Sequence, residues 1–442
     1  MPTSRLRDGL PVAPGALPFL GHLPYAYRLL PFILRRAGGA VGPVYWISLG
    51  FDQYVLVCTG SEAVEILRSK SFSSGHLATL APLVAGESLL GRDGDAHRHV
   101  RAAMNGPFLP RGLGASTVGP MMAERLTALV AGWARGGKVR VVPAIQEAAL
   151  EIIFRTIGVD PTLLDEWRSR YRTLLLANLG TKPSFPGSPA WRAARAKTWI
   201  DARLLENVAR VRGAPADGSL LSLLAASRDD EGRPLSDKEL VDNLRLLVLG
   251  GHETISATMA WIAITLGCRP DLWSALRAEA GPGTEVPGSP QAARAFPFAE
   301  ALFREIVRLH PPFGLITRRC EEPFVLHGKT IPPGAVVGVD LWGASRDPAV
   351  FEAPDELRPA RWLGRTAPPA PLELSQFGAG PHFCLGYHLA WLEAVQFTVA
   401  LARGLGPAGR PVVRGGRLPT PVFLPTEHPP AGTIVEFPQD GR

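Results

Sequence analysis

The chain has 442 residues, 46% hydrophobic and 20% charged, enough apolar material for one large core and too much for a disordered protein. Lys and Arg outnumber Asp and Glu, 47 to 40, for a formal net charge of +7. The cations are spread along the chain, which disfavours nucleic acid and suits docking of an acidic protein. Cys58, Cys268, Cys320 and Cys384 are far apart and form no CxxC pair; this disfavours a disulfide framework or a structural zinc site and fits a reducing, cytoplasmic setting.

Residues 1–40 read as a Pro-rich lead-in. Pro11, Pro14, Pro18, Pro24 and Pro31 break its apolar stretches and His22 and Arg28 interrupt them, so no membrane span and no signal peptide is expected. VYWISLG from Val44 and YVLVCTG from Tyr54 predict two short strands around a turn at Gly50–Gln53. Ser61 is placed as the cap of a short helix, SEAVEILRS. The stretch from Phe72 to Gly94 has no clear period and reads as a long loop.

Helical patterns dominate from His97 to about Leu309, broken at Gly136–Gly137, Pro161, Pro183–Pro189, Gly213–Gly218 and Gly281–Pro290. The first of these helices carries His97 and Arg101 four apart, on one face. Ser236 with Glu239 forms a capping-box signature for a helix running to about Gly267. Two adjacent glycines, Gly250 and Gly251, are unfavourable inside such a helix, which points to a distorted backbone or a closely approaching ligand. Glu253 and Thr254 follow them, an acid beside a hydroxyl that can hold waters and relay protons. Further on, FREIVRLHPP sets Glu305 and Arg308 at i, i+3.

From Pro311 the texture changes to short strand-like runs, PFVLHG and AVVGVDLW, then a Pro-rich irregular stretch from Pro348 to Pro371. The segment Phe377-Gly-Ala-Gly-Pro-His-Phe-Cys384-Leu-Gly386 precedes the long helical pattern LGYHLAWLEAVQFTVALARGL. Gly378 and Gly380 permit tight turns and close approach to a planar ligand. A helix start behind Cys384 favours thiolate over thiol, Phe377 is bulky enough to screen the sulfur, and Gly386 lets the next turn lie flat.

FGAGPHFCLG resembles the haem-binding signature of the cytochrome P-450 family, and GGHET resembles that family's Gly-Gly-x-Asp/Glu-Thr motif on its I helix, with Ile255 where a second Thr is common. The resemblance extends along most of the chain. It implies a mainly α fold with smaller β regions, a single domain over 1–442, shaped as a triangular prism with haem between the long I helix and the helix after the cysteine loop. It implies haem b (iron protoporphyrin IX) with Cys384 as axial iron ligand; Thr254 hydrogen-bonding the bound oxygen; Glu253 helping to deliver protons; and a propionate clamp of His97, Arg101, His382 and Arg318, with Arg319 as the alternative. Glu305, Arg308 and Arg361 are assigned by the same resemblance to folding and haem retention.

The activity so implied is a monooxygenase that takes dioxygen and two electrons, hydroxylating or epoxidising a lipophilic small molecule in secondary metabolism: a terpenoid, steroid, fatty-acid or polyketide-like compound. Substrate contacts are expected near Gly75–Leu90, Leu174–Pro189, the helix before Gly250, Phe313–Thr317 and Pro419–Leu424, with Lys182 and Arg92 as the few charges able to clamp an anion. Electrons would come to a monomer from a separate ferredoxin or flavodoxin with its reductase, docked on a basic face flanked by Arg101, Arg358 and Arg361. A peroxygenase, isomerase or dehydratase of the same fold and a non-catalytic haem sensor are the rival readings; the Glu253–Thr254 pair argues against both.

Overall fold

The computed structural model describes residues 6–7, 9–25, 30–51, 53–80, 85–177, 184–326, 328–406, 409–423 and 426–437. The chain resolves into two compact units, each built from separate stretches: residues 1–74, 301–384 and 419–430 in the first, and residues 75–300, 385–418 and 431–442 in the second.

The first unit is organised on a five-stranded sheet. Its order is Val44–Gly50, Gln53–Cys58, Val336–Asp340, Leu315–Cys320, Phe72–Ser73. The expected hairpin is present and tight: its strands pair from Val44 opposite Cys58 to Gly50 opposite Gln53. β-Branched and aromatic residues fill these strands, and Tyr45, Leu56, Val57 and Val337 are completely buried. Two expectations for this unit are corrected. The lead-in contains a helix, Leu30–Val41, because Pro31 falls in the first turn, where a missing N–H costs nothing; Tyr45 Oη donates to the Leu34 carbonyl at 2.9 Å. And Ser61 is the first helical residue rather than the cap. Gly60 precedes it with φ +64°, and a Cβ there would lie 3.1 Å from Asp347.

The second unit is mostly helical. At its centre is the expected long helix, Asp237–Cys268, opened by a complete capping box of Ser236 and Glu239. It is the one helix among the described residues long and apolar enough to cross a membrane; 67% of its apolar stretch is buried in the protein, as a core helix requires. It packs on Val141–Thr156, Pro189–Arg212 and Tyr387–Gly404. Where Gly267 meets the strand Val412–Val413, an added Cβ would fall 2.8 Å from Val413. The described residues between Phe72 and Gly94 carry more secondary structure than the expected loop. They hold a short strand, Phe72–Ser73, and a helical turn, His76–Leu80. Their later part is tied down by the Asn243 side chain, which accepts from the Leu89 N–H at 2.9 Å.

Candidate active site

The cysteine loop lies in the first unit. A 3-10 turn, Pro371–Phe377, ends at Gly378 with φ +77°, and a second, Gly380–His382, begins with Gly380 at φ +63°. Both positions need glycine. A Cβ on Gly378 would sit 3.1 Å from the His382 carbonyl oxygen, and one on Gly380 2.9 Å from that of Leu67. The Cys384 N–H donates to the Phe377 carbonyl at 2.7 Å and closes the loop. The Phe377 ring packs against Phe303 and Phe383. Cys384 is half-buried, with its sulfur outside any disulfide.

The helix Tyr387–Gly404 starts three residues after Cys384, capped by Gly386. Gly386 has φ −82°, a conformation any residue can adopt, so its place is not explained by backbone freedom. Burial pushes up the thiols of Cys58, Cys320 and Cys268; helices also begin three residues after Cys58, at Ser61, and two after Cys268, at Pro270, so the glycine loop, not the helix start alone, marks out Cys384.

Of the two candidate arginines on strand Leu315–Cys320, Arg319 is surface-exposed and paired with Glu321 at 2.9 Å. Arg318 is 6% exposed and donates to the Thr317 carbonyl at 2.9 Å. Alternation along the strand turns Arg318 inward and Arg319 out. Glu305 and Arg308 are both completely buried and joined bidentately at 2.9 Å. Arg361 adds a bond to Glu305 at 3.0 Å, Trp362 Nε1 another at 2.9 Å, and the Arg358 N–H a third at 2.8 Å. Burial alone would raise the Glu305 pKa, but these donors, Arg308 foremost, hold it below the ordinary carboxylate value. Arg361 is therefore an interior partner, which corrects its assignment to a docking face. Trp362 and the Arg358 backbone escaped the sequence reading, since an indole and an amide carry no charge pattern.

In the second unit, the helix Gly94–Phe108 carries His97, 4% exposed, and a half-buried Arg101. The two glycines of the long helix differ. Gly251 packs against Val141–Thr156, where a Cβ would lie 3.0 Å from Ile153. Gly250 is exposed, and a Cβ there would meet nothing within 4 Å. Of the two expectations, a distorted backbone or a closely approaching ligand, the first is not met: the helix runs uninterrupted through both, and open space is what distinguishes Gly250. Thr254 Oγ1 donates to the Gly250 carbonyl at 2.5 Å, committing its single proton and leaving its lone pairs to accept.

Glu253 lines a cavity of about 590 Å³ with Arg168, Tyr171, Arg172 and His252. His252 is buried, its Nε2 donates to the Gln146 carbonyl at 3.1 Å, and its Nδ1 lies 3.4 Å from Glu253. Burial lowers the His252 pKa. The Tyr171 hydroxyl is buried without a hydrogen-bond partner among the described residues, and its pKa is raised by burial and then by the Glu253 charge. His252 adjoins Glu253 on the long helix, but Gln146, Arg168, Tyr171 and Arg172 come from the helices Val141–Thr156 and Leu164–Ala177, too distant in sequence for any spacing to reveal. Arg92 is bound to Glu239 at 2.9 Å and Glu87 at 3.0 Å, which corrects its use as an anion clamp. Lys182 lies outside the described residues.

These residues fit a flat, thiolate-ligated prosthetic group. The sulfur stands on a loop that requires glycines and precedes a helix start, and on the same unit the inward cation Arg318 suits a buried carboxylate.

Comparison with known proteins decides the family. The family model Cytochrome P450 matches residues 191–403. Cytochrome P450 BJ-4 homolog of Sinorhizobium fredii is 40% identical over 98% of this chain and 97% of its own length.

The chain belongs to the cytochrome P450 family.

Cytochrome P450 BJ-4 of Bradyrhizobium diazoefficiens is 39% identical over the same shares, and a cyclooctat-9-en-7-ol 5-monooxygenase of Streptomyces melanosporofaciens is 27% identical over 88% of each chain. The solved structure titled "Retinoic acid bound cyanobacterial CYP120A1" matches with a TM-score of 0.80 at 23% identity, covering 97% of this chain and 99% of that one. The fold is thus that of a cytochrome P450, mainly α with smaller sheets. As a member of the family the protein is a haem monooxygenase that uses dioxygen, an organic substrate and a redox partner.

Proposed function

We propose that this cytochrome P450 carries haem b on Cys384 and hydroxylates or epoxidises a lipophilic small molecule of terpenoid, steroid, fatty-acid or polyketide-like type. Residues 1–442 act as one catalytic domain: the chain passes between its two compact units five times, so neither is a contiguous module. When bound, haem would supply the activation of dioxygen: with two electrons and two protons, one oxygen atom would enter the substrate and the other would leave as water.

The remaining work falls to the chain. Cys384 ligates the iron, and the N–H groups opening the helix Tyr387–Gly404 keep its sulfur anionic. Phe377 excludes water from that side. Gly378 and Gly386 present backbone without a Cβ on either side of the cysteine. Arg318, His382, His97 and Arg101 hold the propionates, the buried Arg318 through charge-assisted hydrogen bonds. Gly250 leaves room for reactants and Gly251 keeps the helix tight on Ile153. Thr254 accepts a hydrogen bond, because its own proton is on Gly250. Glu253 moves protons from its cavity, where Tyr171 and His252 stand beside it, towards the reacting oxygen.

The observation that carries this reading is the open space at Gly250, one turn before the Thr254 hydroxyl, on a helix otherwise built for the core. A lipophilic substrate is supported by Arg92 being occupied by two carboxylates, by the 39% exposure of Phe313, and by the relative named for cyclooctat-9-en-7-ol. The net charge of +7 suits an acidic ferredoxin or flavodoxin with its reductase. Cysteines outside any disulfide suit a monomer working in the cytoplasm.

Two measurements test this. Haem-loaded protein, reduced under carbon monoxide, should have the spectrum of a thiolate-ligated iron, and C384A should lose it. At least one class among terpenoids, steroids, fatty acids and polyketides should shift the iron spin state of the wild type. An unchanged spectrum in C384A, or silence across all four compound classes, would defeat the proposal.

A further inference from the structure

We propose that the buried carboxylate of Glu427, held by His310 and Trp342, is a positioning clamp that fixes two walls of the substrate pocket relative to each other and so selects which lipophilic molecules fit. The inference rests on reading Phe313–Thr317 and the turn Pro419–Leu424 as substrate walls; Leu424 itself lies outside the described residues. All of these residues belong to the first unit.

Glu427 is 3% exposed and uses both of its oxygens. His310 Nδ1 donates to Oε1 at 2.6 Å, and Trp342 Nε1 donates to Oε2 at 2.5 Å. Its backbone N–H donates to the Pro312 carbonyl at 2.7 Å. A carboxylate oxygen only accepts, so His310 carries its hydrogen on Nδ1.

Each partner adjoins a wall. His310 and Pro312 lead directly into Phe313. The backbone N–H groups of Leu341 and Trp342 donate to the Gly314 carbonyl at 2.8 and 3.3 Å. The Trp342 indole lies so close to Gly314 that a Cβ there would fall 1.8 Å from it. The same indole meets the Phe423 ring edge-on, centroids 5.3 Å apart. The turn bearing Phe423 is closed by two hydrogen bonds between Val422 and His428, each 2.9 Å.

One carboxylate therefore ties Phe313 on one segment to Phe423 on the other, through Trp342. A carboxylate is costly to bury, and an apolar contact would hold the segments together at lower cost. Two directional bonds add a fixed register that an apolar contact lacks.

The test uses haem-loaded enzyme and a series of substituted imidazoles with alkyl and aryl tails of graded length. These bind haem iron through nitrogen and probe pocket shape through the tail. Binding is read from the haem spectrum, beside the melting temperature and the carbon monoxide spectrum. E427L removes both acceptors; E427Q keeps an acceptor for Trp342, and its amide can donate to the other tautomer of His310. E427L should change the relative affinity for short and long tails on the order of tenfold, as expected for a wall displaced by part of an ångström. E427Q should preserve the wild-type ranking. W342F, which keeps the ring but loses one donor, should shift the ranking the same way by less, and it serves if E427L does not load haem. F351L, in the separate buried cluster with Ala301 and Trp362, should lower the melting temperature without altering the ranking.

If F313A and F423A change the ranking while E427L and W342F do not, the clamp is merely structural and the inference is overturned. If F313A and F423A themselves leave it unchanged, the reading of the walls fails and the inference goes with it.

Discussion

A carboxylate wholly shielded from water keeps its charge only if the protein replaces every hydration bond it has lost. Glu305 meets that condition with Arg308, Arg361, Trp362 and the Arg358 N–H. Replacing it by Gln leaves two guanidinium groups in the interior without their anion, so E305Q should lose about 3–5 kcal/mol of stability and retain haem poorly, as seen in the melting temperature and the ratio of haem to protein absorbance. Because its folded-state pKa is lowered from 4.5, the contribution of Glu305 is present above that value and is lost as the pH falls below it. Spacing alone offered Glu305 and Arg308 only as an i, i+3 pair; that they are joined by Arg361 in one network was legible through the family resemblance. Trp362 was not, because a buried indole donor looks like any core aromatic until its neighbour is known. Arg318 and Arg319 were left open for a related reason: adjacent strand residues face opposite ways, and which face is interior depends on the sheet.

Elements that carry their own start signals were read well. The helix Asp237–Cys268 has a capping box and a long apolar run, and its limits match the expectation to within a residue or so. The strand Gly137–Arg140 was missed because it lacks an apolar alternation and is defined by pairing with Ile434–Phe437, remote in sequence. The stretch after Phe72 was misread because its elements are too short to show a period.

The helix Tyr387–Gly404 was legible, but not the consequence of its Glu393. That residue is 3% exposed, and burial raises its pKa to about 8. With the folded-state value above the ordinary 4.5, stability is greatest at low pH, falls as the pH rises through the interval, and has been given up in full above about 8. The neutral isostere removes that dependence. The advantage of E393Q over wild type in melting temperature should be small near pH 5, grow with pH, and level off above about pH 8. A difference independent of pH would show that Glu393 does not titrate in this interval.

At the scale of the whole molecule, both compact units are discontinuous in sequence. The three-stranded sheet of the second unit is the clearest instance: Ile434–Phe437 is its middle strand, between Val412–Val413 and Gly137–Arg140. Phe437 is 1% exposed and stacks on Trp133 with ring centroids 5.0 Å apart. A chain ending at Pro430 leaves both flanking strands with open edges and uncovers Trp133. It should accumulate as aggregate rather than haem-loaded protein, which sedimentation and the haem absorbance of the supernatant would register.

The same middle strand constrains how the protein is made. A ribosome must reach residue 437 before Gly137–Arg140, translated some three hundred codons earlier by roughly 15 to 60 seconds at usual elongation rates, acquires its neighbour. For that interval the nascent polypeptide carries an unfinished edge open to wrong pairing, and a message cut short before codon 434 yields a product that never closes it.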